Sequence, residues 1–224
     1  MLQSLWKAVL DFLFPPHCPG CRSLVEKPGQ WCLVCLARNL HPRRLPLSPV
    51  MAKLITGGAW AVGGYDGSLR RLLRRLKFQR DRAALPALQG LLAYAAEALP
   101  VKLWQGTVVV PVPLHEDRYR SRGFNQTELI FQKWSEAKGL CWSDALCRSR
   151  YTQPQYGLAA HQRRENVQGA FAVRAGSGSS IRGQQLLLVD DILTTGATLE
   201  ACAQALHRAG AASITVLVLA SGRR

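Results

Sequence analysis

LLLVDDILTTGAT, residues 186–198, is the stretch on which the fold turns. Four apolar residues run directly into two carboxylates, Asp190 and Asp191, and three hydroxyls and a glycine follow within seven residues. QLLLVD (185–190) reads as a buried strand, LEACAQALHRAG (199–210) as a helix closed by Gly210, and SITVLVLA (213–220) as a second strand. Strand, helix, strand is a βαβ unit, which implies a parallel sheet covered by helices. Ligands of such sheets bind beyond the carboxyl ends of the strands. Asp190 and Asp191 stand there, and Thr194, Thr195, Gly196, Ala197 and Thr198 lie where the next helix begins. Backbone N–H groups at a helix N-terminus take phosphate, and glycine lets the backbone approach closely. Carboxylates repel phosphate but accept hydrogen bonds from sugar hydroxyls. Acids beside a phosphate nest describe a site for ribose 5-phosphate.

The chain upstream carries the same alternation. AWAVGGYDG (59–67) reads as a strand entering a turn, ALPALQGLLAYAAEAL (84–99) as a helical region interrupted by Pro86, and TVVVPVP (107–113) as a short buried strand. A helix is expected from about Gln126, where Asn125 and Glu128 have the spacing of a capping box. AGSGSS (175–180) reads as a flexible loop. The fold class is therefore α/β, a mainly parallel sheet flanked by helices.

The chain has 224 residues, 48% of them hydrophobic and 19% charged, enough for one α/β domain and a small module. No apolar run approaches the roughly 20 residues that a membrane span needs. MLQSLWKAVLDFLF (1–14) carries charges inside its apolar stretch and lacks a small-residue cleavage site, so it is a poor signal peptide. Leu2, Leu5, Trp6, Val9 and Leu13 fall on one helical face, expected to pack on protein, with docking on a membrane surface the lesser alternative. A cytoplasmic home follows, where disulfides are rare. The seven cysteines then need another use. Cys18, Cys21, Cys32 and Cys35 are spaced C-x2-C-x10-C-x2-C, four soft thiolates suited to a structural Zn²⁺. The rival reading, a redox pair, fits one CxxC better than two. His17 and His41 flank the set as lesser ligand candidates, and Cys141, Cys147 and Cys202 are expected to be small buried hydrophobes. HPRRLPLSP (41–49) reads as a linker. It separates residues 1–45, the N-terminal helix and zinc-ribbon-like module, from a domain at 50–224.

The net charge of +15 points to a polyanionic partner such as nucleic acid, a phosphorylated metabolite or anionic lipid, with solubility alone as the alternative. Residues 51–150 carry sixteen Lys and Arg against eight Asp and Glu. In SLRRLLRRLKF (68–78), Leu69, Leu72, Leu73 and Leu76 form one helical face, and Arg70, Arg71, Arg74, Arg75 and Lys77 the other. Such a row can track a single-stranded phosphate backbone; the alternatives are a solvated face or charges used on pyrophosphate.

The stretch 186–198 resembles the phosphoribosyl-pyrophosphate (PRPP) motif of type I phosphoribosyltransferases. YDGSLRRLLRRLKF (65–78), VPVPLHEDRYRSRGFNQTEL (110–129) and TQPQYGLAAHQRRENVQGAF (152–171), with the paired CxxC module ahead of them, narrow the resemblance to the ComF competence family. It implies a type I phosphoribosyltransferase fold over residues 50–224. Asp190 and Asp191 would bind the ribose hydroxyls, and Thr194, Thr195, Gly196, Ala197 and Thr198 the 5′-phosphate. Arg118, Arg120 and Arg122 would lie near the pyrophosphate, with Mg²⁺ bridging its oxygens, and Arg163 or Arg164 would close over it from a mobile loop and hood region. No nucleobase pocket and no acid for the base nitrogen are legible; His115 and His161 are lone histidines. Two functions stay open. The family implies a competence protein handling single-stranded DNA during natural transformation, beside DNA-uptake machinery at the inner face of the membrane. The alternative is a phosphoribosyltransferase of nucleobase salvage.

Overall fold

A computed structural model describes Trp6 and residues 13–150 and 160–222. After a cysteine-bearing loop come α1 (Leu33–Asn39), β1 (Arg43–Leu45), α2 (Pro49–Leu54), β2 (Gly58–Gly64) and α3 (Gly67–Gln79). There follow α4 (Leu85–Ala98), β3 (Val108–Pro111), α5 (Glu116–Arg122), α6 (Gln126–Ala137), β4 (Cys141–Trp142), β5 (Leu146–Arg148), α7 (Ala160–Val167) and β6 (Phe171–Val173). The chain closes with β7 (Gln185–Leu193), α8 (Ala197–Arg208) and β8 (Ser213–Ser221). The main sheet has the order β1-β2-β8-β7-β3-β4, while β5 and β6 pair in a separate antiparallel ribbon. Every neighbour pair in the main sheet is parallel except β1 with β2.

The two sheet faces are read off β7 by its two-residue period. Leu187 and Val189 join a core with Leu69, Leu72, Leu73 and Leu76 of α3, with α4, and with Ile130 and Phe131 of α6. Leu186 and Leu188 join a second core with Leu199, Cys202 and Leu206 of α8. The four leucines of α3 are at most 1% exposed, so the apolar stripe read in the sequence is the buried face. Each such burial stabilises the fold by about 1.5–3 kcal/mol.

Four details differ from the sequence reading. β7 runs three residues past Asp190, because β8 is equally long and pairs with it as far as Leu193↔Ser221. β3 stops pairing at Pro111↔Val189, so the acids lie inside β7 but beyond the end of its other neighbour. Pro86 occupies the first turn of α4 and opens the helix instead of interrupting it, since its missing N–H has no intrahelical partner there. Residues 41–49, expected as a linker, supply β1 and the start of α2, and Ser177–Ser180 forms a 3₁₀ turn. The expected N-terminal amphipathic helix lies outside the described residues, Trp6 and Leu13 excepted.

Asn125 does cap α6, its Oδ1 accepting from the Thr127 amide at 3.0 Å. Glu128 accepts from the Asn125 side-chain amide at 2.8 Å, so the expected box is closed through the cap's side chain.

Candidate functional site

Asp190 and Asp191 are adjacent on β7, past the end of its neighbour β3, and their carboxylates lie close enough to act on each other. Both are buried, at 9% and 3% exposure. Asp190 Oδ1 accepts from the Thr127 hydroxyl at 3.3 Å and from the Asp191 amide at 2.8 Å. Burial, and then the neighbouring carboxylate, pushes Asp190 well above the usual carboxylate range, with Lys77 opposing. Asp191 Oδ2 accepts no hydrogen bond among the described residues. The Lys77 ammonium stands 3.5 Å from it, at ion-pair distance. A buried acceptor without a donor costs about 1–3 kcal/mol. A ligand hydroxyl would relieve that cost.

The turn after β7 forms a small cradle lined by Asp190 and by Thr194, Thr195, Gly196, Ala197 and Thr198. Gly196 holds φ 86° as the residue preceding α8, a left-handed conformation that a side chain would strain. The amides of the first turn of α8 then open onto the cradle with the positive end of the helix dipole behind them. Six of the seven residues expected at a ribose-phosphate site line this cradle, and the seventh, Asp191, is the next residue of β7 after Asp190.

The arginines separate. Arg122 donates to Gln126 and is part-buried. Burial draws its guanidinium below the ordinary value, while Asp191 holds it up and Arg118 repels it. Arg118 and Arg122 thus share the neighbourhood of the acids. Arg120 turns outward, with its side chain 77% exposed and paired to Glu116 at 3.4 Å, a surface contact of little energetic weight. Its placement does not suit it to a pyrophosphate at the acids. Arg163 and Arg164 fall in α7, but their side chains, like residues 151–159 and the His161 side chain, lie outside those described. His115 precedes α5 and its Nδ1 accepts from the Asp117 amide at 3.2 Å, a capping role.

Two contributors escaped the sequence reading. Thr127 reaches Asp190 from the first turn of α6. Arg148, on β5, lies over the Phe171 ring at 5.3 Å. Burial first, then Arg118, brings it down to about 10, with Cys202 and Asp190 acting in the opposite sense, so it is still cationic at neutral pH. Nothing in the local pattern LCR signals that role, because its charged neighbours are remote in sequence.

The four sulfurs of Cys18, Cys21, Cys32 and Cys35 lie within 4.8 Å of one another, and no histidine joins them among the described residues. Gly20 is required, since a Cβ there would meet the Cys35 sulfur at 2.6 Å. Burial and the neighbouring sulfurs push Cys35 up to about 12, while hydrogen bonds with Ser23 bring Cys21 to about 6. Crowded sulfurs of this kind fit a tetrahedral cation that neutralises the thiolates. The donor set and its closeness fit Zn²⁺, and its role is structural. Of the other cysteines, Cys202 is buried as expected, Cys147 is partly covered and Cys141 is exposed. Cys141 sits on the two-residue edge strand β4, which explains the departure.

The cysteine module is docked, not tethered. Trp31 Nε1 donates to the Ala87 carbonyl at 2.8 Å. Asn39, at the end of α1, donates to the Cys35 carbonyl at 2.7 Å and accepts from the Leu69 amide at 3.1 Å. Asp66 precedes α3 without a side-chain capping bond, so Asn39 caps that helix from thirty residues away. The exposed cations of α3 line a groove of about 270 Å³ formed by Gly67, Arg70, Arg71, Arg74, Arg75 and Gln79. Within it, Arg71 donates to the Gly20 carbonyl at 3.1 Å and Arg75 pairs with Asp81 at 2.5 Å. Arg70 lies over Tyr65 and Arg74 over Phe78, each at 5.8 Å. Lys77 is outside the groove and faces Asp191. The row expected from the sequence is therefore divided: Arg70 and Arg74 remain for an external anion, Arg71 and Arg75 have internal partners, and Lys77 belongs to the acid pair.

A family model described as phosphoribosyl transferase domain matches residues 139–224, and one described as double zinc ribbon domain matches residues 9–60. The chain is 35% identical over 212 residues to DNA utilization protein YhgH of Escherichia coli O157:H7, covering 90% of this chain and 88% of that protein. It is 31% identical to competence protein F of Haemophilus influenzae, covering 92% and 84% of the two chains. The chain belongs to the ComF competence family. Competence protein ComFC of Streptococcus pneumoniae, 26% identical over 90% of this chain and 86% of that one, extends the family further. As a ComF-family member the chain combines a phosphoribosyltransferase-type α/β domain with a zinc ribbon, and its ribbon has a single four-cysteine set among the described residues. No helix among the described residues is long and apolar enough to cross a membrane.

Proposed function

We propose that this ComF-family protein binds PRPP with Mg²⁺ in the crevice at Asp190 and Asp191 and handles single-stranded DNA during DNA uptake. The observation that carries the ligand is the buried, donorless Asp191 Oδ2 beside a hydroxyl-lined helix N-terminus. Acceptors for ribose hydroxyls, an amide cradle for a 5′-phosphate, and Arg118 and Arg122 for a diphosphate stand in the order in which PRPP carries those groups. Mg²⁺ would be held by the ligand's own phosphate oxygens and would screen their charge. The DNA part rests on the names of the competence relatives, on the net charge of +15, and on Arg70 and Arg74 in an open groove. Calorimetric titration of the zinc-loaded protein with PRPP in magnesium buffer tests the first part. Heat of binding that disappears in Asp191→Asn is the expected result. A wild-type protein that takes up no PRPP overturns it. Retention of a labelled single strand, weakening as salt rises, tests the second.

A further inference from the structure

We propose that Lys77 is a ligand of the diphosphate of PRPP, delivered by α3 to a site whose other parts come from β7, α5 and α8. This rests on the PRPP reading above.

The orientation of the sugar can be worked out from the two acids. The phosphate cradle is walled by Asp190 and not by Asp191. Going round the ribose ring, the 5-phosphate hangs from carbon 4, the hydroxyls follow on carbons 3 and 2, and the diphosphate is on carbon 1. The acid beside the cradle therefore takes the 3-hydroxyl, and Asp191 takes the 2-hydroxyl. The diphosphate oxygen sits on the very next carbon, so whatever cation touches Asp191 from outside the cradle stands beside the diphosphate. That cation is Lys77, 3.5 Å from Asp191 Oδ2, with Arg122 acting on the same carboxylate.

The ligand-free pairing explains why a lysine is tolerated there. Asp191 is almost fully buried and its Oδ2 has no hydrogen-bond donor among the described residues, so the ammonium is the compensating charge. When the 2-hydroxyl donates to Oδ2, that need is met, and the ammonium is free to turn onto diphosphate oxygens. The lysine side chain is 28% exposed, and its flexible four-carbon stem permits the swing. Lys77 thus leaves the nucleic-acid row for the ligand site.

The test compares two ligands that differ only at carbon 1. PRPP and ribose 5-phosphate are titrated into zinc-loaded wild type, Lys77→Gln and Lys77→Arg, in magnesium buffer. Lys77→Gln should bind PRPP at least about tenfold more weakly, the scale of a lost charge-assisted hydrogen bond, and ribose 5-phosphate within about twofold of wild type. Lys77→Arg should recover most of the PRPP affinity. An equal loss for both ligands would mean that Lys77 merely maintains the acid pair, and no loss for PRPP would mean that it does not touch the diphosphate; either overturns the proposal. Wild type that binds neither ligand overturns the PRPP reading itself, and this assignment with it. Lys77→Met, which keeps the stem, gives the same comparison if the Gln variant does not fold.

Discussion

Replacing Asn39 by alanine tests whether the zinc module is part of the α/β domain's stability. The substitution removes two hydrogen bonds at once, from Asn39 Nδ2 to the Cys35 carbonyl and from the Leu69 amide to Asn39 Oδ1. Asn39 is buried, so the Leu69 amide does not regain a full partner from water. The cap is worth about 1 kcal/mol and the second buried bond about 1 kcal/mol more. For a protein of this size, a loss of about 2 kcal/mol lowers Tm by about 4–8 °C. Asn39→Asp keeps the acceptor toward Leu69 and adds a negative charge at the α3 N-terminus, so it should fall between alanine and wild type. The assay is thermal melting of the zinc-loaded chain, with zinc content measured in each variant as a control. Asn39 is not a metal ligand, and zinc should stay bound. A Tm shift below about 1 °C in Asn39→Ala would refute the idea that the module caps α3.

Three further outcomes are expected. Gently purified protein should carry one Zn²⁺ for its one four-cysteine cluster, and Cys35→Ser should lose metal and melt earlier; elemental analysis that finds no zinc removes the structural-metal reading. Asp190→Asn should abolish PRPP binding yet raise Tm of the ligand-free protein at neutral pH. The fold raises the Asp190 pKa, so its protonated form is the favoured one, and stability is lost as pH climbs from the unfolded value through the folded one. The gap between variant and wild type should therefore narrow in acid, and melting curves across pH that show a constant gap would contradict the sign. Arg70→Gln combined with Arg74→Gln should flatten the log–log salt dependence of single-strand binding by about 1.4, at about 0.7 per phosphate neutralised, and leave the PRPP titration unchanged. An unchanged slope in fluorescence anisotropy would place strand contact elsewhere.

What the sequence revealed and what it concealed follow from the range of the interactions. The βαβ unit from β7 to β8, the leucine stripe of α3 and the cysteine spacing are local patterns, and each is legible within one continuous stretch of the chain, the longest being residues 185–221. Two of the α3 cations have partners that are not local. Arg71 meets Gly20 from fifty-one positions away, and Lys77 meets Asp191 across about half of the chain. A helical wheel puts Arg70, Arg74 and Lys77 on one side, but only the crossing of α3 toward the end of β7 shows that its last turn reaches the acids. Asn39 and Arg148 escaped for the same reason. Asn39 ends a short helix with no visible cap of its own to make, and its acceptor is spent on another helix. The three-residue extension of β7 was hidden because the acids and the threonines imitate a turn, while the ladder with β8 outweighs that local preference.

The strand β1 has a bearing on how the protein can be divided. Its three residues form the outer rung of the main sheet, with Leu45 buried and Arg43 donating to the Ser221 carbonyl of β8 at 3.0 Å. A chain shortened to begin at residue 50 would strip that rung and leave the backbone of β2 as an open, largely apolar border. Bare borders of this kind recruit strands from other molecules. The shortened protein should accordingly self-associate on light scattering where the whole chain does not, and the few residues that join the two modules in sequence would then be what keeps the larger one soluble.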